Sequence, residues 1–86
     1  MTEIRHIIAD KLGIHARPAA QLAKRCSAYD CDILIGTPEK MVDAKRVMGV
    51  MALSLKHGDE LIMSFDGAED AGQAAKELAA FLKKNL

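Results

Sequence analysis

Two rhythms of apolar residues divide this chain into elements. In residues 3–9 (Glu-Ile-Arg-His-Ile-Ile-Ala), Ile4, His6 and Ile8 share one face at a period of two, which predicts a strand. From residue 16 the rhythm changes. Ala19, Leu22, Ala23 and Cys26 follow the i, i+3, i+4, i+7 spacing of a buried helical stripe, with Arg17, Gln21, Lys24 and Arg25 off it. A helix is predicted over 16–28. A second strand is expected over 31–36. The turn Gly36-Thr37-Pro38-Glu39-Lys40 leads into a short third strand over 40–43, making a hairpin. A short helix over 47–53 follows, then a fourth strand over 60–66 in which Leu61, Met63 and Phe65 alternate inward. After the turn at Asp66-Gly67, Ala71, Ala74, Ala75, Leu78, Phe81 and Leu82 mark the apolar stripe of a last helix over 70–84. Glu69 and Asp70 at its start and Lys83 and Lys84 at its end oppose the helix macrodipole.

The predicted order is β-α-β-β-α-β-α. No repeat, low-complexity segment or linker interrupts it, so residues 1–86 are expected to form one domain of the α+β class, with helices covering one face of a single sheet. Hydrophobic residues make up 50% of the chain, yet its only aromatics are Tyr29, Phe65 and Phe81. The core must therefore be aliphatic.

Charge and cysteine usage narrow the class further. Twelve Lys and Arg residues balance twelve Asp and Glu residues. That balance argues against a dedicated nucleic-acid binder. No apolar run approaches the roughly 20 residues that cross a bilayer. Residues 1–6 lack the basic-then-apolar pattern of a signal peptide, so a cytoplasmic protein with no membrane insertion is expected. Cys26 and Cys31 match neither a redox pair nor a zinc spacing, and are read as two buried thiols in a reducing compartment. His6 and His57 have no carboxylate or cysteine at ligand spacing; they are read as packed or surface histidines, and no metal site is expected.

The segment richest in chemistry is Gly13-Ile14-His15-Ala16-Arg17-Pro18-Ala19. A loop glycine precedes a histidine at the N-cap position of the first helix. Pro18 falls in the first turn, where a missing N–H leaves no intrahelical bond unmade. It also disfavours helical geometry at Arg17, so some strain is expected at that helix start. The free N–H groups of Ala16 and Arg17, with the positive end of the helix dipole, would form an anion site. The Arg17 guanidinium adds a donor suited to phosphoryl oxygens. A nucleophile, an anion cradle and a cation thus fall within three residues. On these residues alone His15 is either a phosphoryl acceptor or an ordinary surface histidine beside a helix start.

The same segment resembles the active-site signature of the HPr family, the phosphocarrier proteins of the bacterial phosphoenolpyruvate-dependent sugar phosphotransferase system. A second stretch, Val42-Asp43-Ala44-Lys45-Arg46-Val47-Met48-Gly49-Val50-Met51-Ala52-Leu53, is similar to that family's central segment, in matching register. The likeness runs over nearly the whole chain. It implies an open-faced β-sandwich, with a four-stranded antiparallel sheet ordered 1-4-2-3 and three helices on one face. It implies that His15 is phosphorylated on Nδ1 by phospho-enzyme I and that the group passes to enzyme IIA proteins or domains for sugar uptake and phosphorylation. Arg17 would steady the phosphoryl group. The resemblance further implies a monomeric carrier with no metal or organic cofactor, a transiently phosphorylated intermediate rather than an enzyme.

A partner surface is expected around residues 47–55, too apolar to be buried entirely by a short helix. Val47, Met48 and Met51 are the expected exposed set, with Gly49 among them and Val50 and Leu53 inward. Methionine adapts to partners of different shape. Ala20, Lys24 and Ser27, on the outer side of the first helix, would border this patch. Arg17, Lys24, Lys45 and Arg46 would form a basic rim steering acidic partners. The resemblance also marks a departure, because Arg46 stands where many relatives carry a regulatory serine, and arginine cannot accept a phosphoryl group from a serine kinase. Two alternatives share the scaffold: a carrier in a regulatory phosphorelay (nitrogen-related, or feeding a dihydroxyacetone kinase), and a non-catalytic regulatory binding module. His15 together with Arg17 opposes the second.

Overall fold

A computed structural model describes residues 1–86. The strands are β1 (Thr2–Ile7), β2 (Asp32–Thr37), β3 (Lys40–Asp43) and β4 (Glu60–Asp66). The helices are α1 (Ala16–Cys26), α2 (Val47–Ala52) and α3 (Ala71–Asn85). The order is β-α-β-β-α-β-α, and the strands form one antiparallel sheet ordered β1-β4-β2-β3. The helices pack on one face, as expected from sequence.

Register explains the core. Ile4 pairs with Met63, Met63 with Ile35, and Ile35 with Val42, so one row of aliphatic side chains crosses all four strands. Ile33 and Phe65 form a second buried row. Leu22, Val50, Leu78 and Leu82 close over these rows from the helices. The core is aliphatic except for Phe65 and Phe81, with Tyr29 packed against its edge. Cys26 and Cys31 are buried free thiols, as read from sequence.

β4 departs from simple alternation. Leu61, Met63 and Phe65 point inward as expected, but Ile62 and Ser64 are buried too. β4 is a central strand, and Arg5, Leu34 and Met41 shelter its outer face. On that face Arg5 pairs with Glu3 at 3.2 Å and with Glu60 at 3.1 Å. His6 is half-buried opposite Leu61, and its Nε2 has no hydrogen-bond partner.

Element ends differ from expectation for local reasons. β1 stops at Ile7 rather than residue 9, because its neighbour across the sheet gives way to the turn before β4. The Ile8 N–H donates to the Asp59 carbonyl at 3.0 Å, and the Gly58 N–H donates to Ile8 at 2.8 Å. The N–H groups of Ala9 and Asp10 then turn to the backbone oxygen of Leu86. α1 ends at Cys26 rather than 28: the N–H groups of Ala28 and Tyr29 bond three residues back, to Arg25 and Cys26, which tightens the last turn. Asp70 stands at the N-cap of α3 but does not cap it. Its carboxylate accepts instead from the N–H groups of Asp30 (2.7 Å) and Cys31 (3.0 Å), tying α3 to the start of β2.

Candidate functional site

His15 occupies the N-cap of α1 with extended backbone, φ −109° and ψ −174°. Its carbonyl opens the helix by accepting from the Ala19 N–H at 3.0 Å. The imidazole is half-buried and makes no capping hydrogen bond. The N–H groups of Ala16 and Arg17 have no carbonyl four residues back inside the helix, and Pro18, at the third helical position, has no N–H at all. Two free donors therefore flank His15 at the positive end of an eleven-residue helix with no acidic side chain in its first turn. The helix runs through Arg17 despite the following proline, so the strained helix start expected there gives way to regular helix.

The loop before His15 is fixed from several sides. The Gly13 N–H donates to the Asp10 carbonyl at 3.0 Å, and the Leu12 N–H donates to the Asp10 carboxylate at 2.8 Å. The Ile14 N–H donates to the Leu55 carbonyl at 3.0 Å, which joins the loop to the segment leaving α2. Gly13 has φ +66°, and a Cβ there would overlap the Leu55 carbonyl oxygen and lie 2.8 Å from Lys56 Cα. Only glycine lets the two backbones approach so closely.

Around the imidazole lies an open depression of about 230 Å³ lined by Asp10, His15, Arg17, Pro18, Gln21 and Asn85. Arg17 is exposed and in no ion pair. Such an arrangement suits a phosphoryl group on the imidazole: two unbonded amides open the helix beside His15, the Arg17 guanidinium lines the same depression, and solvent access leaves room for in-line attack.

The second predicted surface is only partly as expected. Met48 is 79% exposed and Met51 36% exposed, as read from sequence. Val47 is not free: it is half-buried and packs against the core. Gly49 is half-buried against Val42. Val50 is fully buried and Leu53 packs on the core, both as expected. Lys45 leaves the expected rim, because its ammonium donates to the Tyr29 carbonyl at 2.8 Å. Arg46 remains on the surface at the N-cap of α2, its Nε 3.7 Å from the Asp43 carboxylate. Ala20, Lys24 and Ser27 are exposed on α1, and the Ser27 hydroxyl donates to the Ala23 carbonyl at 2.8 Å. α1 packs against α2, so the two expected surfaces adjoin.

The sequence alone does not single out Asp10, Gln21 and Asn85 as lining this depression. Gln21 was within reach of the pattern, being one helical turn beyond Arg17 on the same face. Asn85 arrives from the far end of the chain by tertiary packing. No three His, Cys, Asp or Glu side chains gather in a metal-binding arrangement, and no helix is long and apolar enough to cross a membrane. Burial pushes the Cys26 thiol up to about 12 and raises Cys31 as well, so neither is a ready nucleophile.

Known proteins resemble this chain in sequence and in fold. The family model described as "PTS HPr component phosphorylation site" matches residues 2–84. The phosphocarrier protein HPr of Mycoplasma capricolum is 43% identical over 79 residues, 90% of this chain and 89% of that protein. A crystal structure of HPr from Thermoanaerobacter tengcongensis superposes with a TM-score of 0.90 at 33% identity, covering 98% of this chain and 93% of that one. An HPr dimer from the same organism gives 0.75 at 33% identity, covering 98% and 95%. The chain belongs to the HPr family, the phosphocarrier proteins of the phosphotransferase system.

Proposed function

We propose that His15 accepts a phosphoryl group from phospho-enzyme I and passes it to an enzyme IIA protein or domain, for sugar uptake and phosphorylation. The observation that carries this reading is the half-buried, uncapped imidazole at the N-cap of α1, beside the free amides of Ala16 and Arg17. In the first transfer the bond from phosphorus to His15 Nδ1 forms as its bond to the donor breaks. The second transfer reverses the roles. The dianionic group then rests against the helix start, and Arg17 balances part of its charge. On this reading the protein is a transiently phosphorylated intermediate and not an independent enzyme; it acts as a monomer in the cytoplasm, and it needs no metal or organic cofactor of its own. Partners dock on Ala20, Lys24 and Ser27 of α1 and on Arg46, Met48 and Met51 at α2. Val47, Gly49 and Lys45 contribute less, as they are half-buried or already bonded.

Intact-mass analysis after incubation with phosphoenolpyruvate, Mg²⁺ and enzyme I tests the reading. An acid-labile gain of one phosphoryl group, absent in His15→Ala, is expected. Labelling that survives His15→Ala would place the acceptor elsewhere. No labelling of the wild-type chain would favour a binding module.

A further inference from the structure

A second hollow, of about 460 Å³, opens between α1 and α3. It is lined by Gln21, Lys24, Arg25, Phe81, Lys84 and Asn85. Gln21 and Asn85 also line the depression at His15, so the two adjoin. Lys24, Arg25 and Lys84 bring three cations to this lining, and no acid accompanies them. None of the three is in an ion pair; the pairs in this chain join Arg5 to Glu3 and Glu60, and Arg46 to Asp43. Glu77 borders the adjoining hollow beside Arg25 and Lys84, but its carboxylate accepts from Gln73 at 2.6 Å instead of pairing with either. The Arg25 guanidinium lies over the Phe81 ring, 4.9 Å from its centroid. That stacking orients its planar fork in advance of any anion.

Compensation of the helix dipoles accounts for basic residues at the ends of α1 and α3. It does not account for both sets meeting in one groove without acids, in a chain whose charges otherwise balance. We propose that this groove receives an acidic segment of the protein partner that exchanges phosphoryl groups with His15, so that α3 belongs to the docking surface. The inference rests on the phosphocarrier reading above. Such a partner covers the start of α1, and the groove leads directly away from that point. A small organic anion fits the hollow less well. Five of its six lining residues are polar or charged and it is open to solvent, so it does not enclose a ligand as a small-molecule site does.

The test compares wild type, Arg25→Glu/Lys84→Glu and Lys84→Glu alone in phosphoryl transfer from phospho-enzyme I, at low and high salt, with folding checked by circular dichroism. The double variant is expected to lose about tenfold in second-order rate at low salt and to show a flatter salt dependence. Its rate at saturating donor should be unchanged, and Lys84→Glu should fall between it and wild type in second-order rate; should the double variant fail to fold, Lys84→Glu carries the test alone. The swap Arg25→Lys/Lys84→Arg should keep most of the rate. Wild-type rates and salt dependence in both Glu variants, with His15→Ala inert, would overturn the groove and leave the carrier reading intact. Transfer unaffected while pyrophosphate alone shifts the groove resonances in NMR would assign the groove to small anions and overturn the docking proposal. A wild-type chain that phospho-enzyme I does not label removes the carrier reading and this proposal together.

Discussion

Gly13→Ala tests how firmly the loop before His15 is set, and two further glycines separate the effects involved. At φ +66° an alanine costs about 1 kcal/mol in left-handed backbone strain. Its Cβ also overlaps the Leu55 carbonyl oxygen and meets Lys56 Cα at 2.8 Å. Both are backbone atoms, so no rotamer change relieves the contact. Forcing the strands of backbone apart costs about 1–2 kcal/mol in displaced packing. It also weakens the Ile14 to Leu55 hydrogen bond, a loss of about 1 kcal/mol. The sum is about 3–4 kcal/mol, against roughly 4–13 kcal/mol of total stability for a domain of this size. The melting temperature should drop by roughly 15–30 °C. Gly58 has φ +89° but nothing within 4 Å of its virtual Cβ, so Gly58→Ala should lose only about 1–2 kcal/mol. Gly72, in α3 with open space around it, should gain about 0.5 kcal/mol as alanine. Urea unfolding followed by circular dichroism, with unchanged m-values, reads all three. If Gly13→Ala proves no worse than Gly58→Ala, the close backbone approach is not what holds the loop, and the argument for its rigidity fails.

Two further predictions concern titrating groups. The N–H groups of Asp30 and, less strongly, Cys31 hold the Asp70 carboxyl below the usual aspartate range. Its folded value is depressed, so its contribution to stability is present above about pH 4 and lost as pH falls through the folded value. The stability difference between wild type and Asp70→Asn should shrink as urea midpoints are followed from neutral pH into that range; a difference that stays constant would remove the assignment. The Cys26 thiol moves the other way, from 9.0 to about 12, chiefly through burial. That contribution is complete below the unfolded value and is lost as pH rises from about 9 toward 12. A disulfide reagent at mildly alkaline pH should leave both cysteines unmodified in the native protein and titrate both in urea. A fast-reacting equivalent in the native state would contradict their burial.

Much of this architecture is legible in the sequence because its elements are strongly periodic. The stripe of Ala19, Leu22, Ala23 and Cys26 has no competing pattern, and it is buried as read. β3 and β4 have the expected ends because turns bracket them. What is not legible depends on partners distant in sequence. Ile62 and Ser64 look outward by alternation, and only the central position of β4 buries them. Lys45 reads as a free rim cation until folding brings the Tyr29 carbonyl to its ammonium. Asp70 reads only as an acid opposing the dipole of its own helix, and its tie to the amides of Asp30 and Cys31 appears only once the chain has folded. At the candidate site, His15, Ala16 and Arg17 are readable because a helix start is a local feature. Asn85 and the α1–α3 groove are not, because they exist only once the two helices pack.

That difference follows how a carrier's duties divide between backbone and side chains. On the reading proposed above, the group on His15 must present its phosphorus at one place to both donor and acceptor, which requires a stiff backbone beneath it. The hydrogen bonds of Ile14 to Leu55 and of Ala9 and Asp10 to Leu86 anchor that backbone to segments far away in sequence. Most of the side chains proposed to meet partners show the opposite character. Arg17, Lys24, Lys84, Met48 and Met51 are exposed, and none of the cations among them is paired within the chain. Tying any of them internally would oblige each partner to break a bond before docking, a loss that falls on every exchange. Lys45, committed to Tyr29, is therefore the rim cation whose removal should affect folding more than transfer, and Lys24 the one whose removal should affect transfer more than folding.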